Sequence, residues 1–314
     1  MKKLFIIAGP TASGKTAIAV ELAKLTGGEV VSADSMQIYT GMDIGTAKPT
    51  AEEQGVIPHH MIDIVKPDKP YSAALYQQQA RAVIADIHAR GRMPILCGGT
   101  GFYINAVLYD VEFVKDEEAV HPEDMTTRDY YVNLAKKHGP KKLHTMLHEA
   151  DPAAAMAVHP NNIKRVSRAL SYIQTTGQLF SEYNTAQKGQ PPVYNAVFCR
   201  LSVDRPVLYQ RINTRAQAMF DTGLVEEVAG LMAQGYHPGL TSMQGIGYKE
   251  VAQYIQGHST LDEAIEAVQQ NSRRYAKRQE TWLRNQNPNA LVIPVEGPAS
   301  EIASKISATN LAML

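Results

Sequence analysis

The segment Gly9-Pro10-Thr11-Ala12-Ser13-Gly14-Lys15-Thr16 follows the spacing G-x-x-x-x-G-K-[ST], and its residue types suit one task, the holding of a di- or triphosphate. Gly9 and Gly14 are expected to take conformations that aim successive backbone N–H groups at phosphate oxygens. A following helix N-terminus adds partial positive charge, Lys15 adds a cation, and the Thr16 hydroxyl can bind Mg²⁺. A carboxylate follows the next apolar run, where Glu29 to Ala33 leads into Asp34-Ser35-Met36-Gln37. Asp34 could orient Mg²⁺, act as a general base, or cap the segment after it. A further run, Pro94 to Cys97, ends in Gly98-Gly99-Thr100-Gly101 and brings no carboxylate. Its glycines permit close approach of a ligand, and Thr100 offers a hydroxyl at a helix start.

Basic groups gather in two places. Ser272 to Arg284 carries Arg273, Arg274, Lys277, Arg278 and Arg284 against the single acid Glu280, with Trp282 among them. On a helix such a face suits a nucleic-acid backbone and a stacked base, or simply solvent over a core tryptophan. Arg211 and Arg215, four apart, could reach phosphate as a pair or remain solvated. His59-His60 does not read as a metal pair, because neighbours on an extended segment point to opposite sides and no third ligand accompanies them. Cys97 and Cys199 lie far apart in apolar surroundings and read as small hydrophobes in a reducing, cytoplasmic setting.

These side chains need a scaffold, and the first hundred residues supply its rhythm. Apolar runs at Leu4 to Ala8, Glu29 to Ala33 and Pro94 to Cys97 alternate with helical patterns at Lys15 to Leu25 and Ser72 to Arg90. That alternation predicts an α/β fold: a P-loop NTPase-like parallel sheet flanked by helices, with the ligand crevice outside the strand C-termini. From about Val111 the rhythm stops and polar helical sequence follows. It includes Asn161 to Thr175, with Ile163, Val166, Ala169, Leu170 and Ile173 on one face and Lys164, Arg165 and Arg168 elsewhere. The expected organisation is a core at 1–111, an inserted all-helical domain at 112–190, and a mostly helical continuation of the core at 191–314 with strands at Ala196 to Val203 and Ala290 to Val295. The length of 314 residues and 44% hydrophobic content allow a sizeable core. Thirty-one basic and 31 acidic residues cancel, so any nucleic-acid contact must rest on local patches. No apolar run approaches the ~20 residues of a membrane span, and the Met1-Lys2-Lys3 start reads as the approach to a strand rather than a signal peptide. On spacing alone the phosphate loop fits a small-molecule kinase cleaving ATP, or a nucleotide-gated RNA-binding protein without chemistry of its own.

The motifs taken together go further. GPTASGKT from Gly9, SADSMQIYTGMDIGTAKPT from Ser32, PHHMIDI from Pro58, YSAALY from Tyr71, GGTGFY from Gly98, NNIKRVSRAL from Asn161, GIGYKE from Gly245 and KRQETWLR from Lys277 resemble the bacterial tRNA dimethylallyltransferase family, also called tRNA isopentenyltransferases or IPP transferases. The resemblance spans most of the chain and is least specific over Val111 to Pro160. It implies transfer of a dimethylallyl group from dimethylallyl diphosphate to the exocyclic amine of the adenosine 3′-adjacent to the anticodon, in the anticodon stem-loop of tRNA. It implies roles as well. Asp34 is the base, and Thr11 lies by the donor's reacting end. Gly9 to Thr16, with Lys15 prominent among them and joined by Arg215, hold the diphosphate, and Mg²⁺ sits on Thr16. Gln37 hydrogen-bonds the extruded adenine, beside Ser35 and Met36. Thr100 and the Asn161, Lys164 and Arg165 cluster lie near the RNA strand, with Lys277, Arg278 and Arg284 near its phosphates. A monomer without an obligate protein partner is the expected state.

Overall fold

The structure, a computed structural model, describes residues 1–113, 126–187 and 189–312. They divide into two compact units, residues 1–108 with 192–314, and residues 109–191.

The larger unit is built on a six-stranded sheet in the order β3-β2-β4-β1-β5-β6. Its strands are β1 (Lys3–Ala8), β2 (Gly28–Ser32), β3 (His59–His60), β4 (Met93–Gly98), β5 (Asn195–Ser202) and β6 (Leu291–Pro294), and every pairing is parallel. Leu4 to Ala8 are all buried, as a strand covered on both faces requires, so the run is apolar throughout rather than alternating. On one face, helices α1 (Lys15–Thr26) and α14 (Ala299–Ala312) pack Ile18, Leu22, Ile302 and Ile306 against Phe5, Ile7, Ile95 and Cys199. Elsewhere α3 (Ala73–Ala89) lies against β2 and β4, burying Tyr76, Ala80, Ile84 and Ile87, and α4 (Gly101–Leu108) packs beside it. The remaining helices of this unit are α2 (Ala51–Gln54), α10 (Arg205–Asp221), α11 (Leu224–Ala233), α12 (Tyr248–Ile255) and α13 (Leu261–Gln286).

One feature departs from the sequence reading. The run Pro94 to Cys97 forms the fourth strand in chain order, not the third, because His59 and His60 add a short edge strand beside β2. Two residues are too few to leave a periodic signal. Alternation across that strand does separate the two rings as expected, and among the described residues no metal-binding cluster occurs.

The smaller unit is helical among its described residues: α5 (Thr127–His138), α6 (Pro140–Ala150), α7 (Pro152–Ala157), α8 (Ile163–Thr176) and α9 (Phe180–Ala186). Leu143, Leu147, Val166, Ala169 and Leu170 form its own core, so the apolar face read from Asn161 to Thr175 is the buried one. Asp151 caps α7 through the Ala154 N–H at 3.0 Å and accepts the Ser181 N–H at 2.8 Å, tying α9 to it. Burial pushes this carboxyl up, but those backbone donors prevail and hold it below the usual carboxylate range. Asn161, Lys164 and Arg165 are exposed at the start of α8. No described helix in either unit is long and apolar enough to cross a membrane.

Candidate active site

The phosphate-binding loop joins β1 to α1, and its backbone explains its composition. Gly14, the N-cap of α1, has φ +82°, a conformation that strains any side chain. Gly9 does not use positive φ. Its requirement is steric: an added Cβ would come within 2.9 Å of Ser13 Oγ and 3.1 Å of Leu201 Cβ. Ala12 takes the other left-handed position, φ +61°, where a non-glycine residue stores strain. The Ser13 N–H closes a turn onto the Pro10 carbonyl at 3.3 Å. Lys15 and Thr16 stand in the first turn of α1, where backbone N–H groups lack helical acceptors, and no side chain caps them.

Above the loop lies a cavity of about 400 Å³, contained in the larger unit. Thr11, Ala12, Lys15 and Thr16 form its floor, Asp34 to Gln37 one wall, and α10 and α13 another through Arg215, Met219, Tyr275, Arg278 and Gln279. The structure therefore brings Asp34 and the cations Lys15 and Arg215, residues far apart in sequence, to one space.

Electrostatics tie them together. Lys15 Nζ donates to the Pro10 carbonyl at 2.7 Å. Burial pulls this ammonium down to about 8, opposed by Cys97 and Asp34 and assisted by Arg215. Burial likewise lowers Arg215, against the pull of Glu53 and Asp34. Cys97 lines the cavity, but burial raises its thiol to about 11, so it stays protonated and packs as a small apolar group. Asp34 holds its own loop by accepting the Met36 N–H at 2.9 Å. The Ser35 N–H in turn donates to Thr100 Oγ1 at 3.0 Å, which fixes the Asp34 turn to the end of β4. Beneath it, the buried Tyr76 hydroxyl donates to the Ser32 carbonyl at 2.8 Å, and its ring stacks on Tyr103.

Gln37 lines the cavity with its carboxamide already engaged. Its Oε1 accepts from Ser32 Oγ at 3.0 Å, while its Nε2 donates to the carbonyls of Ala47 at 3.1 Å and Thr46 at 3.4 Å. A base that hydrogen-bonds Gln37 must displace one of these partners. The wall carrying Gly45 to Ala47 is itself clamped from α11. Glu227 accepts the backbone N–H groups of Asp43, Ile44 and Gly45 at 2.9, 2.7 and 3.2 Å, and the Tyr248 hydroxyl from α12.

The basic stretch on α13 divides. Arg278 lines the cavity and sits over the Tyr275 ring, whereas Lys277 and Arg284 are exposed and lie outside the lining. Trp282 packs against Gly101, where an added Cβ would come within 2.0 Å of Cε3. Arg215 enters the cavity but Arg211, on an exposed turn of α10, does not, so the suggested pair is not a pair. Sequence reasoning missed Gln279, which is buried and bonded to the phosphate loop. The signal was present: an uncharged polar residue falls on α13 in helical register with the buried Ala276 and Leu283.

For Mg²⁺ the donor set is suitable but sparse. Thr16 and Asp34 offer hard oxygen atoms on the cavity surface, which suits an ion that keeps several waters and takes its other ligands from phosphate.

A parallel α/β sheet whose first strand feeds this loop, with a carboxylate after the second strand lining the same cavity, defines an enzyme of P-loop-like fold. A family model described as IPP transferase matches residues 37–286. A tRNA dimethylallyltransferase of Bacillus pumilus is 49% identical over 282 residues, covering 90% of this chain and 86% of the relative. The crystal structure of the full-length tRNA isopentenylpyrophosphate transferase of Bacillus halodurans shares 42% identity and a TM-score of 0.71, covering 99% of this chain and 96% of that one. A eukaryotic dimethylallyltransferase acting on tRNA superposes with a TM-score of 0.84 at 28% identity, covering 99% of this chain and 80% of its own. The chain belongs to the IPP transferase family.

Proposed function

We propose that this protein is a tRNA-modifying prenyltransferase that moves the dimethylallyl group of dimethylallyl diphosphate onto the exocyclic amine of the adenosine 3′-adjacent to the anticodon, releasing diphosphate. The observation that carries this reading is the meeting of Asp34 with the phosphate loop, Lys15 and Arg215 in one cavity.

The chemistry follows from those groups. An exocyclic adenine amine is a weak nucleophile because its lone pair is delocalised into the ring. As the nitrogen bonds the allylic carbon, the carbon–oxygen bond to diphosphate breaks and the amine proton passes to the Asp34 carboxylate. The negative charge gathering on the leaving diphosphate is met by Lys15, Arg215 and the unpaired N–H groups of Lys15 and Thr16. Thr11 sits on the cavity floor, and the reacting end of the donor lies beside it in this reading. Thr16, with Asp34 opposite, would hold Mg²⁺, which supplies further charge neutralisation at the diphosphate. The adenine reaches Asp34 only if it is extruded from its stack, and Ser35, Met36 and Gln37 then line its seat. Thr100 supports that seat through Ser35. The exposed Asn161, Lys164 and Arg165 of the smaller unit, with Lys277, Arg278 and Arg284 of α13, engage the RNA backbone. A tRNA substrate places this work in the cytoplasm, with the enzyme acting as a monomer.

A kinase would use the same loop to break a phosphorus–oxygen bond. Incubation with unmodified tRNA and dimethylallyl diphosphate, followed by mass spectrometry of the nucleosides, should show one adenosine heavier by a dimethylallyl group. Phosphoryl transfer from ATP without that product, or tRNA binding that leaves the nucleosides unchanged, overturns the reading.

A further inference from the structure

The helices of the smaller unit sort their charges by end. α5 closes on Lys136, Lys137 and His138, and after the single residue Gly139 α6 opens on Pro140, Lys141 and Lys142. All four lysines are exposed, and among the described residues none of them takes part in an ion pair. The start of α8, with Asn161, Lys164 and Arg165, comes to the same end. His144, in the second turn of α6, donates from Nε2 to the carbonyls of Ala155 and Val158 at 3.1 and 2.9 Å, which returns the approach to α8 alongside the start of α6. The Tyr131 hydroxyl, near the start of α5, donates to Gln174 Oε1 in the last turn of α8 at 2.7 Å, so those two helices run in opposite directions. The acids of residues 126–187 gather at the far end. They are Asp129 in the first turn of α5, Glu149 in the last turn of α6, and Asp151 and Glu182 where Ser181 ties α9 to α7.

Helix stability accounts for only part of this arrangement. Lys136 and Lys137 suit the negative end of α5. Lys141 and Lys142 stand instead at the positive end of α6, where no acid lies in the first turn and Gly139 offers no side-chain cap. Two cations there repel the partial charge of their own helix, and an anion outside the helix relieves that repulsion. The composition of the corner says which anion. Lysine is a point charge that meets phosphate oxygens without the planar fork of arginine. The run from Lys136 to Lys142 holds no aromatic residue, so it offers no platform for an unstacked base. A backbone whose bases are stacked inward fits these groups, and the surface of an RNA double helix presents one.

We propose that Lys136, Lys137, Lys141 and Lys142 form a docking surface for the phosphate backbone of a helical RNA stem, continuous with the Lys164 and Arg165 end of α8. The proposal rests on the tRNA reading and adds to it a contact away from the reacting loop. The corner falls within Val111 to Pro160, the stretch where the family motifs are least specific, and belongs to this chain's own charge pattern.

The test is fluorescence anisotropy of the full chain with two RNAs, an anticodon stem-loop and the same loop without its stem, over about 50 to 200 mM salt. In a variant combining Lys136→Gln, Lys137→Gln, Lys141→Gln and Lys142→Gln, stem-loop affinity should fall roughly tenfold. Its log–log salt slope should become shallower by about 2, because phosphate contacts are lost. Affinity for the stemless loop should not change. Lys141→Gln with Lys142→Gln alone removes the repulsion at α6 and should give about half the effect, which keeps the test decisive if the fourfold variant does not fold. Unchanged stem-loop affinity and slope in a folded variant overturn the proposal. So does an equal loss on both RNAs, which would put the lysines on the loop strand. Lost binding to anionic lipid vesicles with RNA binding intact would assign the corner to a membrane surface instead. Nucleoside analysis of tRNA reads the underlying function separately. Prenylation with an unaffected variant removes the role of the corner alone, whereas a stem-dependent loss without prenylation removes the transferase reading.

Discussion

The Tyr248 hydroxyl donates to Glu227 at 2.6 Å, and the same carboxylate accepts three consecutive backbone N–H groups, those of Asp43, Ile44 and Gly45. One side chain on α11 thus sets the path of the wall that presents Thr46 and Ala47 to Gln37. Glu227→Ala leaves those donors and the tyrosine without their acceptor and should lower stability by about 2–3 kcal/mol in urea melts. The KM for tRNA should rise more than kcat falls, because the wall is displaced while Asp34 and the phosphate loop are not. Glu227→Gln, which keeps an acceptor oxygen without the charge, should fall between wild type and alanine. Equal loss in both variants would mean that the charge alone matters.

Lys15 should make diphosphate binding pH-dependent in a defined direction. Its pKa in the free protein is lowered to about 8, and a bound anion must raise it again, since the anion favours the charged form. Below about 8 the ammonium is already present and affinity should not depend on this group. Above it, binding must take up a proton, and affinity should fall by up to about tenfold per pH unit. Titration of pyrophosphate at pH 8.5 in buffers of different ionisation enthalpy should report that uptake, and Lys15→Met should abolish it. A buffer-independent enthalpy in wild type would remove Lys15 as the titrating group.

Asp34→Ala should lower turnover of tRNA and dimethylallyl diphosphate by roughly 10² or more while tRNA affinity changes much less. Direct binding of an anticodon stem-loop RNA, measured beside single-turnover rates, separates the two quantities. Near-normal turnover would leave Asp34 as the capping residue of its own loop, through Met36.

Glu29 should contribute to acid sensitivity. Hydrogen bonding to Arg90, outweighing the opposing effect of burial and helped by His60, lowers its carboxyl from 4.5 to about 2. A group whose folded pKa is depressed stabilises the protein above its unfolded value, and the contribution is lost as pH falls through the folded one. Urea midpoints should therefore drop between about pH 4.5 and pH 2. Glu29→Gln should be less stable at pH 7 and show a shallower decline across that window. An unchanged slope would place the acid sensitivity elsewhere.

What could be read from the sequence followed locality. Gly9 to Thr16 is contiguous and sits between an apolar strand and a helix, so the loop and its chemistry announce themselves together. Asp34 was placed by the rule that parallel strands present their C-terminal residues to the ligand, though its role stayed open until family motifs joined it. Gln279 and Glu227 could not be found this way. The Gln279 bond to Thr11 crosses 268 positions, and Glu227 reaches its three donors across more than 180. Both are ordinary polar residues on helices until packing brings a backbone to them. The basic stretch on α13 divides for the same reason, because charge count does not tell Arg278, which lines the cavity, from Lys277, which does not. The stretch from 114 to 125 lies outside the described residues, and the division of units falls at Tyr109 and Pro191.

The two-residue strand β3 has a consequence larger than its size. His59 pairs with Val30 and lines the cavity, while His60 pairs with Val31 and turns to Glu29 on the opposite side. A slip of one residue would exchange the rings, sending His60 into the cavity and leaving Glu29 without its imidazole. The hydrogen bond between His60 and Glu29 behind the sheet is thus an alignment pin. It keeps an edge strand too short to hold its own register from shuffling the surface against which the substrate must fit.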